Sequence, residues 1–286
     1  MANLKEIRNR ISSIGSTMQI TSAMKMVSAA KLKKAQNAIM QMRPYANKLT
    51  ELLQNLSATL EPEDGGAFTQ QKEVQKVLIV AITSNRGLCG GFNAAITKQI
   101  KTIIENRYAG KDVSIMSIGK KGNDLLAKTH KIYANHSAVY DDLTYDNVAI
   151  IAEDLMEQFL NGSFDRIELV YNKFKNAATQ ILTEEQLLPI VPPQREGNLT
   201  VDYIFEPSKN EIVKGLIPKS IKTQLYKAIR DSFAAEHGAR MTAMHKATDN
   251  AKEIRDELLL QYNKARQAAI TNEILEIVGG AEALKG

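Results

Sequence analysis

Tryptophan is absent from this 286-residue chain, aromatics make up only 6% of it, and cysteine occurs once, at Cys89. A single thiol excludes an internal disulfide and any metal site built from paired thiolates. So lean an aromatic content suits a narrow helical seam, which needs few bulky rings, alongside a modest core. No apolar run reaches the roughly 18 residues of a membrane-spanning helix, and the amino end lacks the charged-then-apolar layout of a secretory signal. The expectation is a soluble chain in the reducing compartment where it is made. Acids are scarce at the start: residues 1–60 hold nine Lys or Arg against two acids, a balance of +7 in a chain of net charge +5, so the remainder sums to −2. A merely solvated helix interleaves both signs, whereas a basic arm is drawn to an acidic partner.

What the sequence does have is helical spacing at both ends. Leu4, Ile7, Ile11, Ile14 and Met18 alternate steps of three and four. Near the carboxyl end Ala247, Ala251, Ile254 and Leu258 step likewise, and Ala265 and Ala268 return to the same face. Seams of this kind, one rich in alanine, predict two long helices that pair closely. The first is expected over 1–62, bent at Pro44, resumed by Leu49, Leu52, Leu53, Leu56 and Leu60, and stopped by Pro62 with Gly65-Gly66. The second is expected over 208–286, starting near Ser208 or, past Pro218, near Ser220, with Gly279-Gly280 its first strong turn signal. Four prolines from Pro189 to Pro207 break regular structure before it.

Between the helices, over 74–192, the pattern is that of an α/β domain. Six apolar residues at 77–82, bounded by turn formers, predict a strand covered on both faces within a parallel sheet. Helical pattern at 92–108 and a second strand at 113–118 complete a βαβ unit. A helix at 146–160, a strand at 167–171 and a candidate fourth strand at 181–188 follow. The fold expected is a pair of terminal helices around a compact centre, a rod with a knob, and rods transmit force or position more often than they do chemistry.

The glycine-rich stretch Thr83 to Asn93 follows a strand and opens a helix, the place where phosphate can sit on free backbone donors. It lacks both the Lys-Ser/Thr pair and the G-x-G-x-x-G spacing, and no acid ends the second strand to hold a ribose. A tight turn requiring glycine explains it better. Nothing places a base beside Cys89, which reads as a buried structural thiol. His237 and His245 are eight apart, too far to share a metal, and read as ordinary polar positions of a helix. Neither Asp141-Asp142 nor Glu184-Glu185 forms a matched acid and base. No catalytic centre, cofactor site or metal site is expected. Met18, Met24, Met26, Met40 and Met42 are dense for one helix; most read as core filling, with Met24, beside Lys25, the best candidate for an adaptable contact surface.

Three blocks of the chain resemble the gamma subunit, the central rotor shaft, of bacterial F-type ATP synthases. They are Ile20-Thr21-Ser22-Ala23-Met24-Lys25-Met26-Val27-Ser28-Ala29-Ala30-Lys31-Leu32, the loop Ser84-Asn85-Arg86-Gly87-Leu88-Cys89-Gly90-Gly91-Phe92-Asn93, and a long carboxyl-terminal block. That last block runs through Ala239 to Met244, Ala247 to Ala251, Tyr262 to Thr271 and Glu273 to Ala281. The resemblance implies a left-handed antiparallel coiled coil of the terminal helices with a central Rossmann-like domain. It further implies insertion of one copy into a ring of three alpha and three beta subunits, with the epsilon subunit and the membrane c ring at its foot. Nucleotide chemistry would then belong to beta and not to this chain, which would sit at the cytoplasmic face of the inner membrane.

Carried over by position, Met24 and Lys25 would face the acidic lever segment of beta. Arg240, Arg266, Gln267, Thr271 and Glu273 would lie among the coupling contacts to the alpha/beta ring. Asn85 stands where many members have Asp, and Ala235 where Ser is common. The absence of a long transit segment and of a cysteine-pair insert fits a bacterial synthase without thiol regulation.

Overall fold

A computed structural model of the chain describes residues 4–57, 68–190 and 209–283. The expected helix stop at Pro62 and Gly65-Gly66 and most of the proline-rich stretch lie outside them, as do Leu60 and the side chains of Leu53 and Leu56. Helix α1 covers Leu4–Ser57, with Pro44 inside it. Strand β1 (Lys76–Ile82), helix α2 (Phe92–Asn106) and strand β2 (Asp112–Ile118) form the expected βαβ unit. They are followed by α3 (Lys120–Leu126), β3 (Lys131–Asn135), a 3-10 turn at Ser137–Tyr140, α4 (Tyr145–Leu160), β4 (Arg166–Phe174), β5 (Gln180–Leu188) and α5 (Lys209–Ala283).

The five strands are ordered β3-β2-β1-β4-β5, so β1 is central, and all of its residues from Val77 to Ile82 are fully buried. It pairs in parallel with β2, Val77 beside Val113, and with β4, Val77 beside Arg166; only the β4–β5 hairpin is antiparallel. Helix α2 lays Phe92, Ile96, Ile100 and Ile103 on one face of the sheet. On the other face α4 places Val148, Ile151, Leu155 and Phe159, and α5 adds Ile217, Ile221, Leu225 and Ile229. Thr144 caps α4 by accepting the Asn147 amide at 3.3 Å. Gly119 ends β2 at φ +121°, where a Cβ would meet the carbonyl oxygen of Thr83 at 2.2 Å, so only glycine fits.

Two compact units divide the chain, Met1–Ser28 with Met241–Gly286 and Ala29–Arg240. In the first, α1 and α5 run antiparallel. Along α1 the sequence Arg8, Met18, Thr21, Lys25 ascends while the partners Tyr262, Arg255, Thr248, His245 descend, at 2.8, 3.9, 2.8 and 3.5 Å. The covered positions of α1 there include Leu4, Ile7, Ile11, Ile14, Met18, Thr21, Lys25 and Ser28, in unbroken steps of three and four, with Gly15, Ser22 and Met24 half-buried beside them. In the second unit the same spacing continues through Leu32, Ala35, Ile39, Met42, Ala46 and Leu49, and helix and phase both pass Pro44. There Arg43 pairs with Asp231 at 3.3 Å and Lys219 lies 5.8 Å over the Tyr45 ring, again with α1 and α5 antiparallel.

Several expectations require correction. The covered positions of α5 from Met244 on are Met244, Ala247, Thr248, Ala251, Arg255, Leu258, Tyr262, Ala265 and Ala269; Ile254 and Ala268 are exposed. Arg255 and Tyr262 lay long stems along the partner helix while their polar ends reach its edge, so apolarity was a poor guide to the stripe. Helix α5 is described from Lys209, continues through Pro218 and runs on through Gly279 and Gly280, so the alternative start near Ser220 does not hold. The sheet also has a strand more than expected. β3 lies at the sheet edge with polar ends, and α3 is a short helix containing Gly122, so neither presents a long apolar period.

Candidate functional site

In a doubly wound sheet a ligand enters at the carboxyl ends of the strands, where the order of connection reverses. Here that point lies between β1 and β4, and α5 fills it. Ser232 Oγ donates to the Ile82 carbonyl at the end of β1 (3.4 Å). Arg43 donates to the Phe174 carbonyl at the end of β4 (3.4 Å) while paired with the fully buried Asp231. Beyond them Ala235 packs among the α2-side core residues, together with Cys89 and Phe92.

The glycine-rich loop faces this helix. Ser84 and Asn93 fold it from within: the Ser84 amide donates to Asn93 Oδ1 at 3.0 Å, Asn93 Nδ2 donates to Ser84 Oγ at 2.8 Å, and Ser84 Oγ donates to the Arg86 carbonyl at 2.7 Å. Asn85 ties it outward, donating to the Ser137 carbonyl (2.9 Å) and accepting the Lys120 amide (3.0 Å). The asparagine at 85 therefore uses its amide as both donor and acceptor, which a carboxylate cannot do. Cys89 is buried, 3.3 Å from Asn93 Nδ2, in keeping with a structural thiol. Gly90 takes φ 61°, and so does Leu88, whose side chain is 62% exposed.

The inner side of the loop presents carbonyl oxygens. Arg240 Nη2 donates to Arg86 O at 3.0 Å and Nε to Gly87 O at 3.3 Å, while Nη1 pairs with Glu236 at 2.7 Å. That polarity receives a cation, whereas a phosphate requires converging N–H groups. Burial raises the Glu236 carboxyl by more than Arg240 lowers it. His237 is buried too, its ring edge-on to Phe233 at 4.5 Å, and burial aided by Arg240 pushes its pKa down to about 3. The reading of His237 as an ordinary helix polar position is thus wrong: it is a neutral core imidazole, 3.4 Å from Arg240 through Nδ1. His245 is exposed, as that reading has it, beside Asp249 at 3.3 Å.

The remaining sequence-derived residues separate into three places. Lys25 occupies a seam position next to His245, and Met24 is half-buried on the adjoining face. Arg266, Gln267, Thr271 and Glu273 share the exposed distal part of α5, Thr271 donating to the Gln267 carbonyl at 2.9 Å. Arg240 stands apart from both, in the second unit and only 7% exposed. Sequence reasoning did not single out Arg43, Asp231 or Glu236, because a charged residue on a helix gives no local sign that another element will bury it. Among the described residues no group of acids, histidines and cysteine is placed to hold a metal ion. No described helix is long and apolar enough to cross a membrane. An open groove of about 530 Å³ between α4 and the start of α5 is edged by Tyr145, Ile150, Pro218 and Lys219, with Lys222 and Glu153 already paired at 2.5 Å.

These features define a coiled-coil protein with an α/β domain whose ligand crevice is closed by its own helix. Comparison with known proteins makes the class specific. The ATP synthase family model matches residues 3–284. The ATP synthase gamma chain of Flavobacterium johnsoniae is 71% identical over 287 residues, covering the whole of both chains. Among solved structures, the central stalk of the Tetrahymena thermophila mitochondrial ATP synthase is 25% identical, covers 80% of this chain and 99% of its own, and superposes with a TM-score of 0.60. A chain of the Euglena gracilis mitochondrial ATP synthase, 21% identical over 98% of this chain and 94% of its own, shares the fold at a TM-score of 0.68. The chain belongs to the ATP synthase gamma chain family, and its role is that of the central shaft.

Proposed function

We propose that the chain couples ion-driven rotation of a membrane c ring to conformational cycling of catalytic beta subunits, for ATP synthesis and, in reverse, hydrolysis. The observation that carries this reading is the distal part of α5. Ile270, Ile274, Leu275, Ile277 and Val278 are all exposed there on a continuous helix, and so much bare apolar surface marks an interaction site. A ring of three alpha and three beta subunits is the partner this surface fits, with Arg266, Gln267, Thr271 and Glu273 as its polar contacts. Met24 and Lys25 meet the acidic lever of beta, to which the +7 arm is complementary. Residues 1–62 and 208–286 act as the shaft, and 74–192 as the foot toward epsilon and the c ring. One copy serves each complex, at the cytoplasmic face of the bacterial plasma membrane as a peripheral protein.

Mechanistically the shaft acts on each beta subunit as a ligand does. It shifts a conformational equilibrium only by the difference in its contacts with the competing states, and a full swing from 1:99 to 99:1 takes about 5.5 kcal/mol. Because no two faces of the shaft are alike, the three beta sites differ at any instant and exchange roles as it turns. The chain itself needs no catalytic group.

The test is ATP hydrolysis by alpha and beta subunits of one bacterial synthase, assembled with and without the chain, beside the chain alone. An inert chain that enters the ring in single copy and raises sustained turnover supports the reading; a chain that hydrolyses ATP by itself and ignores the ring defeats it. Met24→Lys adds a second cation toward the acidic lever and is expected to impair ATP-driven proton pumping, and unchanged pumping in that variant counts against this contact.

A further inference from the structure

We infer that Arg240 is a positioning residue: its guanidinium is the built-in ligand of the glycine-rich loop and makes residues 84–91 move with α5. The inference rests on the shaft reading for its consequence but not for its geometry. All three guanidinium nitrogens are engaged, Nη2 and Nε on the consecutive carbonyls of Arg86 and Gly87, Nη1 on Glu236, and the residue is nearly buried. Arg240 is only 7% exposed and each of its nitrogens is turned to a partner within the chain, so its contribution to coupling passes through the loop. The fork geometry matters, because a planar guanidinium spans two adjacent acceptors and fixes an orientation that a lysine ammonium cannot.

The loop has reason to need such a hold. Leu88 at its tip takes a left-handed conformation with its side chain in solvent, beside the exposed Arg86. A leucine keeps that conformation only where its surroundings over-determine it. Ser84, Asn85 and Asn93 hold the loop to the sheet domain, and Arg240 holds it to the helix that carries the shaft. Movement of α5 at Arg240 is thereby passed to an exposed loop.

Arg240→Lys and Arg240→Ala in the full chain test this. Lysine keeps the charge beside Glu236 and loses the fork, so it separates ion pairing from loop positioning and serves if the alanine variant fails to fold. Amide hydrogen exchange at residues 85–91 is expected to quicken at least tenfold in Arg240→Lys with the exchange of β1 and β4 unaltered, and protons pumped per ATP hydrolysed are expected to fall in the assembled complex. A purely structural residue would lower thermal stability without moving that ratio. Unchanged loop exchange in Arg240→Lys overturns the inference, as does faster exchange with an unchanged pumping ratio. Should the wild-type chain fail to enter the ring, the shaft reading falls, and the exchange measurement on the free chain still decides whether the latch exists.

Discussion

His237 is buried beside Arg240, and its pKa of about 3 lies well below the ordinary 6.5. Its folded pKa is lowered, so the folded state binds fewer protons than the unfolded one between those values. The stability it supports is complete above about pH 6.5 and is lost as pH falls toward 3, at about 1.4 kcal/mol per pH unit. Glu236 and Asp231 act in the opposite sense: burial raises both, the folded state holds their protons longer, and stability falls as pH rises through their raised values. His237→Gln retains an acceptor for Arg240 and does not titrate. It is therefore expected to remove most of the acid loss seen in denaturant midpoints between pH 6.5 and 4.5, and parallel profiles for parent and variant would show that the protonation lies elsewhere. The burial of none of these titratable groups was legible from sequence. A glutamate or histidine on a long helix looks solvated until a second element covers it.

At the scale of elements, the coil of the first unit contains a polar layer. Thr21 and Thr248 meet at 2.8 Å in the seam, one hydroxyl donating to the other, which is left to donate to a carbonyl of its own helix, that of Met18 or Met244. One turn away Lys25 faces His245. A seam of leucines and alanines alone tolerates a slip of one heptad, whereas a hydroxyl pair is satisfied in one register. Thr21→Val together with Thr248→Val is expected to leave the chain at least as stable as the parent, since an apolar pair replaces a polar one of the same volume. Each single substitution is expected to cost about 1 kcal/mol and the double about nothing, so the cycle of thermal melts is expected to give a coupling energy of about 2 kcal/mol. Additive single and double effects would show that the hydroxyls do not recognise one another. The same elements explain what the sequence revealed. Leu4 to Met18 announced the α1 seam because every position is aliphatic or Met, and β1 announced itself by six apolar residues in succession. The α5 seam alternates alanine with Thr248, Arg255 and Tyr262, which makes its stripe ambiguous, and the edge strand β3 has no apolar period to detect.

For the molecule as a whole, the question is which parts are stabilised by the chain and which by its partners. Beyond Ala269 every described residue of α5 is exposed, although Ile270, Ile274, Leu275, Ile277 and Val278 would favour burial. An isolated helical segment of this length gains little from propensity alone, so its order and its use both point to an enclosing surface. The four polar residues singled out from sequence near this end, Arg266, Gln267, Thr271 and Glu273, are exposed along with it, which is why resemblance located them and composition did not. Removing residues 271–286 takes away no seam position, and it is expected to change the stability of the free chain by less than about 0.5 kcal/mol. In the assembled complex the same truncation removes Thr271, Glu273 and most of the exposed apolar surface, so ATP-driven pumping is expected to fall several-fold. The two measurements read different things. A large drop in the thermal midpoint of the truncated free chain would mean that the segment packs on the chain itself, and unaltered pumping with unaltered stability would mean that the ring grips the shaft elsewhere, along the basic arm from Lys5 to Lys48, where added salt would then weaken assembly most.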